Sequence, residues 1–448
     1  MARAGGLRLT IRHVFLVVPI AGLAWAVTRP FGDNSFLWHV RAGTVQLDAG
    51  RVLTTDPFSS ELAGTSWRAQ SWLADLMFGT LERTTGGIGW VPLYVFAVVV
   101  ATVVFTLAVT HRATRHLAAT AGAGFLLVWH VLPFTNARPV IFSYLLLAAV
   151  AAALRSQRTE WAVLPLIWLW AMLHGSFVMG IGLIVLEGVR RRSRRHFELA
   201  AVGGVLATMT AHGFGIWEIL LRFLESRDAL KLIQEWLPPN FSHPFMVPYA
   251  ILIMLAIYAA ARGRLEVNDL IVVIPFLFFG LLAVRNLLPA MIVVLPYVAT
   301  VFVPSKPETR REESPLVVGA VLLVLLIGAV AGLMRRAPEA ATVFPPEAAL
   351  EELDDGPLFH SSAPGGYFIY AQWPERRVLI DDRAELYGAE YFESWLELKD
   401  GFDWKVRFAE LGISQALLEP EWPLTAAVAE AGWIELYRDD DFVVVRAP

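Results

Sequence analysis

With 56% hydrophobic and 17% charged residues among 448, the chain falls well short of the roughly one quarter charged residues of a soluble domain. Its mean hydropathy is +0.53, and its formal net charge of −4 averages two unlike regions: residues 337–448 carry 23 acidic and 8 basic side chains, leaving 18 acidic and 29 basic ones in 1–336. Cysteine is absent, which excludes disulfides, thiolate catalysis and thiolate metal sites, and nothing in the charge pattern points to a nucleic acid partner.

Taken in chain order, apolar runs near the roughly 20 residues needed to cross a bilayer fall at 12–28, 87–110, 117–133, 140–155, 161–173, 175–189, 198–212, 246–262, 268–284, 287–303 and 315–334. Backbone amides in hydrocarbon need internal partners, so these runs predict helices. The expected fold is mainly α: a polytopic membrane protein of about eleven transmembrane helices over 1–335, followed by a soluble acidic α/β domain over 336–448. The runs 161–173 and 175–189 are short, and read as two short helices meeting at a polar turn or as a re-entrant hairpin. The first run also has the look of a signal peptide, with small residues at Ala24 and Ala26; an uncleaved anchor fits better, because the segment after it does not read as an independent soluble domain.

Arginine clusters fall on alternate connections: Arg112 and Arg115; Arg155 and Arg158; Arg190 to Arg195; Arg262 and Arg264; Lys306, Arg310 and Arg311. With eleven crossings they share one side, which the bias of basic loops makes cytoplasmic together with the N-terminus. The expected location is the plasma membrane, with the C-terminal domain extracytoplasmic. Arg335 and Arg336 run against this assignment; five agreeing loops outweigh them.

The first external connection, 29–86, holds Gly32-Asp33-Asn34, Trp38-His39, Gly43 and Asp56-Pro57-Phe58-Ser59, and then a stretch from Trp67 to Leu81 with Trp72, Leu73, Leu76 and Met77 apolar. The spacing predicts helices over 34–49 and 67–81 lying in the membrane interface, their tryptophans at headgroup level. Further polar breaks on the same side are Asn136-Ala137-Arg138-Pro139, His174-Gly175-Ser176 and Arg285-Asn286. Ionisable groups at membrane depth are costly and face cavities or partners; arginine's fork suits a phosphate there. A further external loop, 213–245, reads as a second interfacial helix ending in Glu235-Trp236-Leu237-Pro238-Pro239-Asn240.

Each candidate also has a structural reading. Asp33 suits the cap of the helix beginning near Asn34. Asp56-Pro57 is a turn dipeptide, and His39 suits a hydrogen-bonded interface position. Arg138 binds phosphate or snorkels from a helix end, and His174-Gly175 makes a tight helix–helix turn. In the tail, strands are expected at 357–361, 366–371, 377–381, 413–418, 433–437 and 441–446, and helices at 345–353, 387–398, 403–411 and 424–431. Asp439-Asp440-Asp441 reads as a hairpin turn, and Asp381-Asp382-Arg383 as a polar strand end with an internal Arg–Asp pair.

Taken together, the set from Asp33 through Trp38-His39, Gly43, Asp56-Pro57-Phe58-Ser59 and Trp67 to Trp72-Leu73 resembles the first external loop of bacterial GT-C membrane glycosyltransferase-like proteins. The segments Asn136-Ala137-Arg138-Pro139, His174-Gly175-Ser176, Glu235-Trp236 and Arg285-Asn286 are similar to that group, as are Gly365-Gly366-Tyr367 and Asp381 to Gly388. The resemblance implies an inverting enzyme on the external face that takes a sugar from a polyprenyl phosphate or pyrophosphate, with Asp33 as base. His39, Asp56, Asn136, Arg138, His174, Glu235, Arg285 and Asn286 would then bind substrate, and Asp33 and Asp56 leave room for a divalent metal. Gly32-Asp33-Asn34 departs from the adjacent pair of acids commoner in that group, which bears on the metal more than on the base. A non-catalytic scaffold or sensor, or a transporter of a lipid-linked substrate, is the alternative.

Overall fold

The computed structural model describes residues 33–225, 234–303 and 344–448. Along the chain, α1 (Asn34–Ala49) and α2 (Trp72–Thr85) come first. After them come α3 (Val91–Thr114), α4 (Leu117–Val131), α5 (Val140–Ala153), α6 (Val163–Leu173), α7 (Phe177–Arg191) and α8 (Arg194–Thr208). They lead to α9 (Gly215–Glu225), α10 (Val247–Ala261), α11 (Leu270–Leu282) and α12 (Leu287–Val298). The C-terminal stretch runs α13 (Glu347–Glu351), β1 (Leu358–His360), α14 (Gly365–Gln372), α15 (Ala384–Lys399), α16 (Trp404–Leu411), β2 (Gln415–Leu418), α17 (Pro423–Glu430), β3 (Ile434–Arg438) and β4 (Val443–Arg446). The protein is thus mainly helical, with a small C-terminal sheet.

Two compact units divide the chain. One comprises Met1–Arg29, Trp90–Thr210 and Gln234–Arg336; the other comprises Pro30–Gly89, Ala211–Ile233 and Ala337–Pro448. This differs from the expected division at 335/336, because the connections 30–89 and 211–233 group with the C-terminal stretch.

In the first unit, nine of the eleven expected spans coincide with helices; 12–28 and 315–334, with the signal-peptide reading and the Lys306, Arg310, Arg311, Arg335 and Arg336 clusters, lie outside the described residues. Among the described residues three segments, Val91–Thr114, Pro244–Ala261 and Val284–Phe302, are long and apolar enough to cross a membrane. At 1.5 Å per residue the 24 residues of α3 extend about 36 Å, more than a bilayer's hydrocarbon thickness. Its buried Thr102, Thr106 and Thr110 each turn their hydroxyl back onto the carbonyl four residues earlier, which lets polar side chains sit inside an apolar bundle. Large apolar side chains point outward, among them Leu93, Phe125, Met254, Ile257, Ile274 and Phe278. The short pair α6 and α7 meets at His174-Gly175-Ser176, the polar turn expected there.

The second unit has a four-stranded sheet in the order β1-β2-β4-β3, with β1 and β2 parallel and the other pairs antiparallel. Asp439 builds the β3–β4 hairpin by accepting from the backbone N–H groups of Asp441 and Phe442. Two expected strands differ. The run 366–371 is the helix α14, whose buried Gly365, Gly366, Phe368 and Ile369 follow helical spacing; a short apolar run does not by itself separate a buried helix from a buried strand. The run 377–381 is extended but makes one bridge, Val378 to Ser59, backed by Ser60 N–H donating to the Val378 carbonyl at 2.8 Å. Its partner comes from the first connection.

That bridge belongs to a shared core. Trp38, Ala42, Leu53, Phe58, Trp67 and Ala69 pack with Leu358, Phe368, Ile369, Val378, Leu417 and Val444. Trp67, expected at headgroup level, is 3% exposed in that core, and the second helix of the connection begins at Trp72. The apolar faces of α1 and α2 are consumed by protein packing because their backbones touch: a Cβ on Gly43 would lie 1.8 Å from the Asp75 carbonyl oxygen, and one on Gly79 2.5 Å from the Gly43 backbone.

Candidate functional site

The carboxylates of the first connection have separate fates. Asp33 occupies the N-cap position of α1 with extended backbone (φ −99°, ψ 105°), yet its carboxylate makes no capping hydrogen bond. Asp33 thus stands at the cap position that the structural reading gave it, without the side-chain bond of a cap.

Asp56 departs from its expected role as a substrate or metal ligand. It is 1% exposed, and both its oxygens are engaged: the backbone N–H groups of Phe58 and Ser59 and the Ser59 hydroxyl donate to it, and Arg383 pairs with it at 2.6 Å. Arg383 is fully buried and also clasps Asp381 through Nε (2.8 Å) and Nη2 (2.6 Å), while Tyr387 donates to the same carboxylate. The rings of Trp67, Phe58 and Trp38 surround the guanidinium at 4.7, 5.3 and 5.8 Å. Burial alone would raise the Asp56 carboxyl, but Arg383 and the Ser59 hydrogen bonds outweigh it and hold the group below its ordinary value. Asp56 is a buried counter-ion.

His39 is likewise internal, 6% exposed, with Nδ1 2.6 Å from Asp75 and its ring stacked on Trp38 at 3.5 Å. Burial pushes the Asp75 carboxyl well above its usual range, offset in part by Gln46. His39 thus ties α1 to α2 and touches no open surface. Among the described residues no group of three or more metal-ligating side chains converges.

The first unit does bring sequence-distant candidates together. Arg138 and Arg285 both approach the same oxygen of Glu235, at 3.6 and 3.4 Å. These separations exceed the roughly 2.7–2.9 Å of a tight charge-assisted hydrogen bond. The Arg285 guanidinium lies 4.1 Å over the Trp236 ring. Local backbone explains the convergence. Ala283 adopts an extended conformation (φ −159°) between α11 and α12, so the chain breaks just before Arg285. The Asn286 side chain donates to the Phe279 carbonyl at 3.1 Å, and Val284 N–H donates to the Leu237 carbonyl at 3.0 Å, joining this break to the Glu235-Trp236 turn. Asn286 therefore shapes the helix break. Arg138 arrives on the turn that opens α5, and Tyr144, one turn into α5, feels the charges of Arg285, Glu235 and Arg138. Asn136 lies on the same turn as Arg138, with its side-chain oxygen buried and without a hydrogen-bond donor.

His174 joins a neighbouring network at the same end of α5. Its Nδ1 is 2.8 Å from the Ser176 hydroxyl, which donates to Ser143 at 2.7 Å, and Trp170 donates to Ser143 at 3.0 Å. At the opposite helix ends, Arg191 bonds the Leu154 carbonyl, Arg190 meets Asp269, and Arg195 meets Glu160. The basic connections around 155, 190–195 and 262–269 thus share one end of this unit, and Arg138, His174 and Arg285 share the other.

Tyr144 and Ser143 carry no motif that marks them in the sequence, because they sit inside an apolar run. Glu235 and the two arginines are legible as polar breaks, but their pairing is not. Comparison with known proteins places no relative beside the chain: no protein-family model matches it, and no curated protein matches it.

Proposed function

We propose that this chain is a polytopic membrane protein that transfers a sugar from a polyprenyl-phosphate-type donor to an acceptor on the external face, as a GT-C-type glycosyltransferase. The observation that carries the reading is the pair of arginines sharing one carboxylate. Arg138 and Arg285, 34% and 21% exposed, converge on a single oxygen of Glu235 at the ends of apolar helices. Two guanidiniums gathered at such a depth suit an anion, and the anion at headgroup level is a phosphate. The three membrane-length helices and the outward-facing apolar side chains support the membrane setting.

The reaction is a single displacement. The acceptor hydroxyl attacks the anomeric carbon as the bond from that carbon to the lipid phosphate oxygen breaks, its electrons passing to the phosphate. The arginine pair stabilises the departing charge, and Asp33, the base by family resemblance, takes the acceptor's proton.

The test is the purified full chain in detergent with a panel of polyprenyl-phosphate sugars, scored for binding and for release of free lipid phosphate. Arg138→Ala and Arg285→Ala each weaken lipid-phosphate binding about tenfold or more, the loss of one charge-assisted contact of about 1.5–3 kcal/mol. Asp33→Asn binds the donor normally and releases no lipid phosphate. Unchanged binding in the double arginine variant sinks the reading; binding without turnover in the unaltered protein leaves a lipid-phosphate-binding scaffold or transporter.

A further inference from the structure

The helices α3 and α5 run side by side in the same direction. Tyr94 and Phe142, near their starts, have ring centroids 5.4 Å apart, and their C-terminal ends share the walls of one cavity. That cavity has a volume of about 480 Å³ and is lined by His111, Arg112, Ala113, Arg115 and Arg155, within the roughly 300–1,000 Å³ range of small-molecule sites. Its lining holds three guanidiniums and no carboxylate.

The neighbouring basic connection behaves differently at four of its five arginines, Arg192 being the exception. Arg190, Arg191, Arg194 and Arg195 each meet a carboxylate, on Glu187 and Asp269, Glu187, Glu198 and Glu160 respectively. Among the described residues, no carboxylate pairs with Arg112, Arg115 or Arg155. A bias toward basic loops accounts for the number of arginines but not for this difference, since carboxylates are at hand one connection away. One side chain and one backbone position are also fixed. The Arg155 guanidinium sits 4.8 Å over the Tyr297 ring, whose hydroxyl donates to buried Glu187. Arg115 closes α3 in the left-handed conformation (φ 49°), a position glycine ordinarily fills.

We infer that this cavity is a binding site for a phosphate group, supplied by an anionic phospholipid headgroup or by a soluble phosphorylated compound. It is separate from the Arg138–Glu235–Arg285 cluster. Arg138 precedes α5 and Arg155 follows it, so the 14 residues of that helix, about 21 Å, stand between the two. Arginine forks take phosphate oxygens in pairs, and a cavity at a helix end between apolar helices suits a lipid whose chains run along them.

The experiment is native mass spectrometry of the full chain in detergent with dioleoyl phosphatidylglycerol, dioleoyl phosphatidylcholine or inorganic pyrophosphate. The unaltered protein retains phosphatidylglycerol at least tenfold more tightly than phosphatidylcholine. The variants R112Q/R115Q and R155Q each lose most of that preference, whereas R158Q, outside the cavity, stays within about twofold. Pyrophosphate binding that is lost in R112Q/R115Q identifies a soluble phosphate as the source; lipid binding without pyrophosphate binding identifies a headgroup. The proposal falls if R112Q/R115Q and R155Q keep the preference, or if R158Q loses it equally, which assigns the effect to the general charge of that end. Because R112Q/R115Q touches exposed residues and R155Q a single one, misfolding of one variant leaves the other to decide.

Discussion

Replacing Arg383 by methionine keeps most of its bulk but leaves Asp56 and Asp381 buried without their cation. Removing one partner of a buried ion pair costs about 3–5 kcal/mol, so Arg383→Met should abolish slow amide exchange around Trp67–Ala69 and 378–384 in the full chain. The Asp56 carboxyl lies below its ordinary value of 3.8 in the fold. Its contribution is therefore fully present above 3.8 and is lost as pH falls from there through the lower folded value. A pH titration of the same amides should show protection in the unaltered protein declining across that window, and Asp56→Asn should remove this part of the decline. Glu235 predicts the opposite sense of change. Glu235→Gln removes the carboxylate between Arg138 and Arg285, and donor lipid-phosphate affinity should rise about tenfold; a fall would mean that Glu235 itself contacts the substrate. The three residues are unequally legible. Glu235 and Arg285 stand out because charge is rare among apolar runs, whereas the partner of Asp56 lies 327 positions away, and no local spacing encodes such a contact. Asp56-Pro57 reads as a turn, and the Asp56 carboxylate does accept from the Phe58 and Ser59 backbone N–H groups, but that reading says nothing of the cation beside it.

At the level of elements, the packing of α1 on α2 depends on two glycines at matched steps. His39 and Gly43 are four residues apart on one helix, Asp75 and Gly79 four apart on the other, and the pairs face each other. Gly43→Ala would drive a methyl group into the Asp75 carbonyl, a backbone atom that cannot swing away. Overpacking of this kind costs about 1–3 kcal/mol, and the melting temperature of the full chain in detergent should fall. Gly122→Ala is the control: open space surrounds that position in α4, and alanine's better helix propensity makes the change neutral or stabilising by up to about 1 kcal/mol. Equal effects at the two sites would refute the close-approach account. The helix over 34–49 is readable, the second helix is readable with its start set five residues early, at Trp67 instead of Trp72, and so are most of the C-terminal elements. What their apolar faces meet is not. A stripe of tryptophan and leucine fits a membrane interface and a protein core equally well, and only the long-range partners Phe368, Val378 and Leu417 decide for the core. The error at 366–371 has a related origin: the run is only eight residues long in the helix Gly365–Gln372, too short for its period to separate a helix from a strand.

For the whole molecule, the consequence is that the acidic C-terminal stretch is an incomplete domain. Its sheet is covered by side chains supplied more than 250 positions earlier: Trp38, Leu53, Phe58 and Trp67 pack on Leu358, Phe368, Val378 and Leu417. Asp56 neutralises its buried Arg383, Trp38 and Trp67 donate to Asp382 and Glu385, and Trp373 donates to the Pro57 carbonyl at 3.0 Å. Burying a large apolar side chain contributes about 1.5–3 kcal/mol, so losing four of them together with the counter-ion of an interior arginine rivals the stability of about 5–15 kcal/mol of a whole domain. Residues 337–448 produced alone should therefore lack a cooperative thermal transition and expose amides throughout 358–384. Adding a peptide of residues 30–89 should restore protection at Val378 and Arg383, with a dependence on peptide concentration. A fragment 337–448 that melts cooperatively without it would show that the tail closes its own core and that the first connection merely rests on a finished surface.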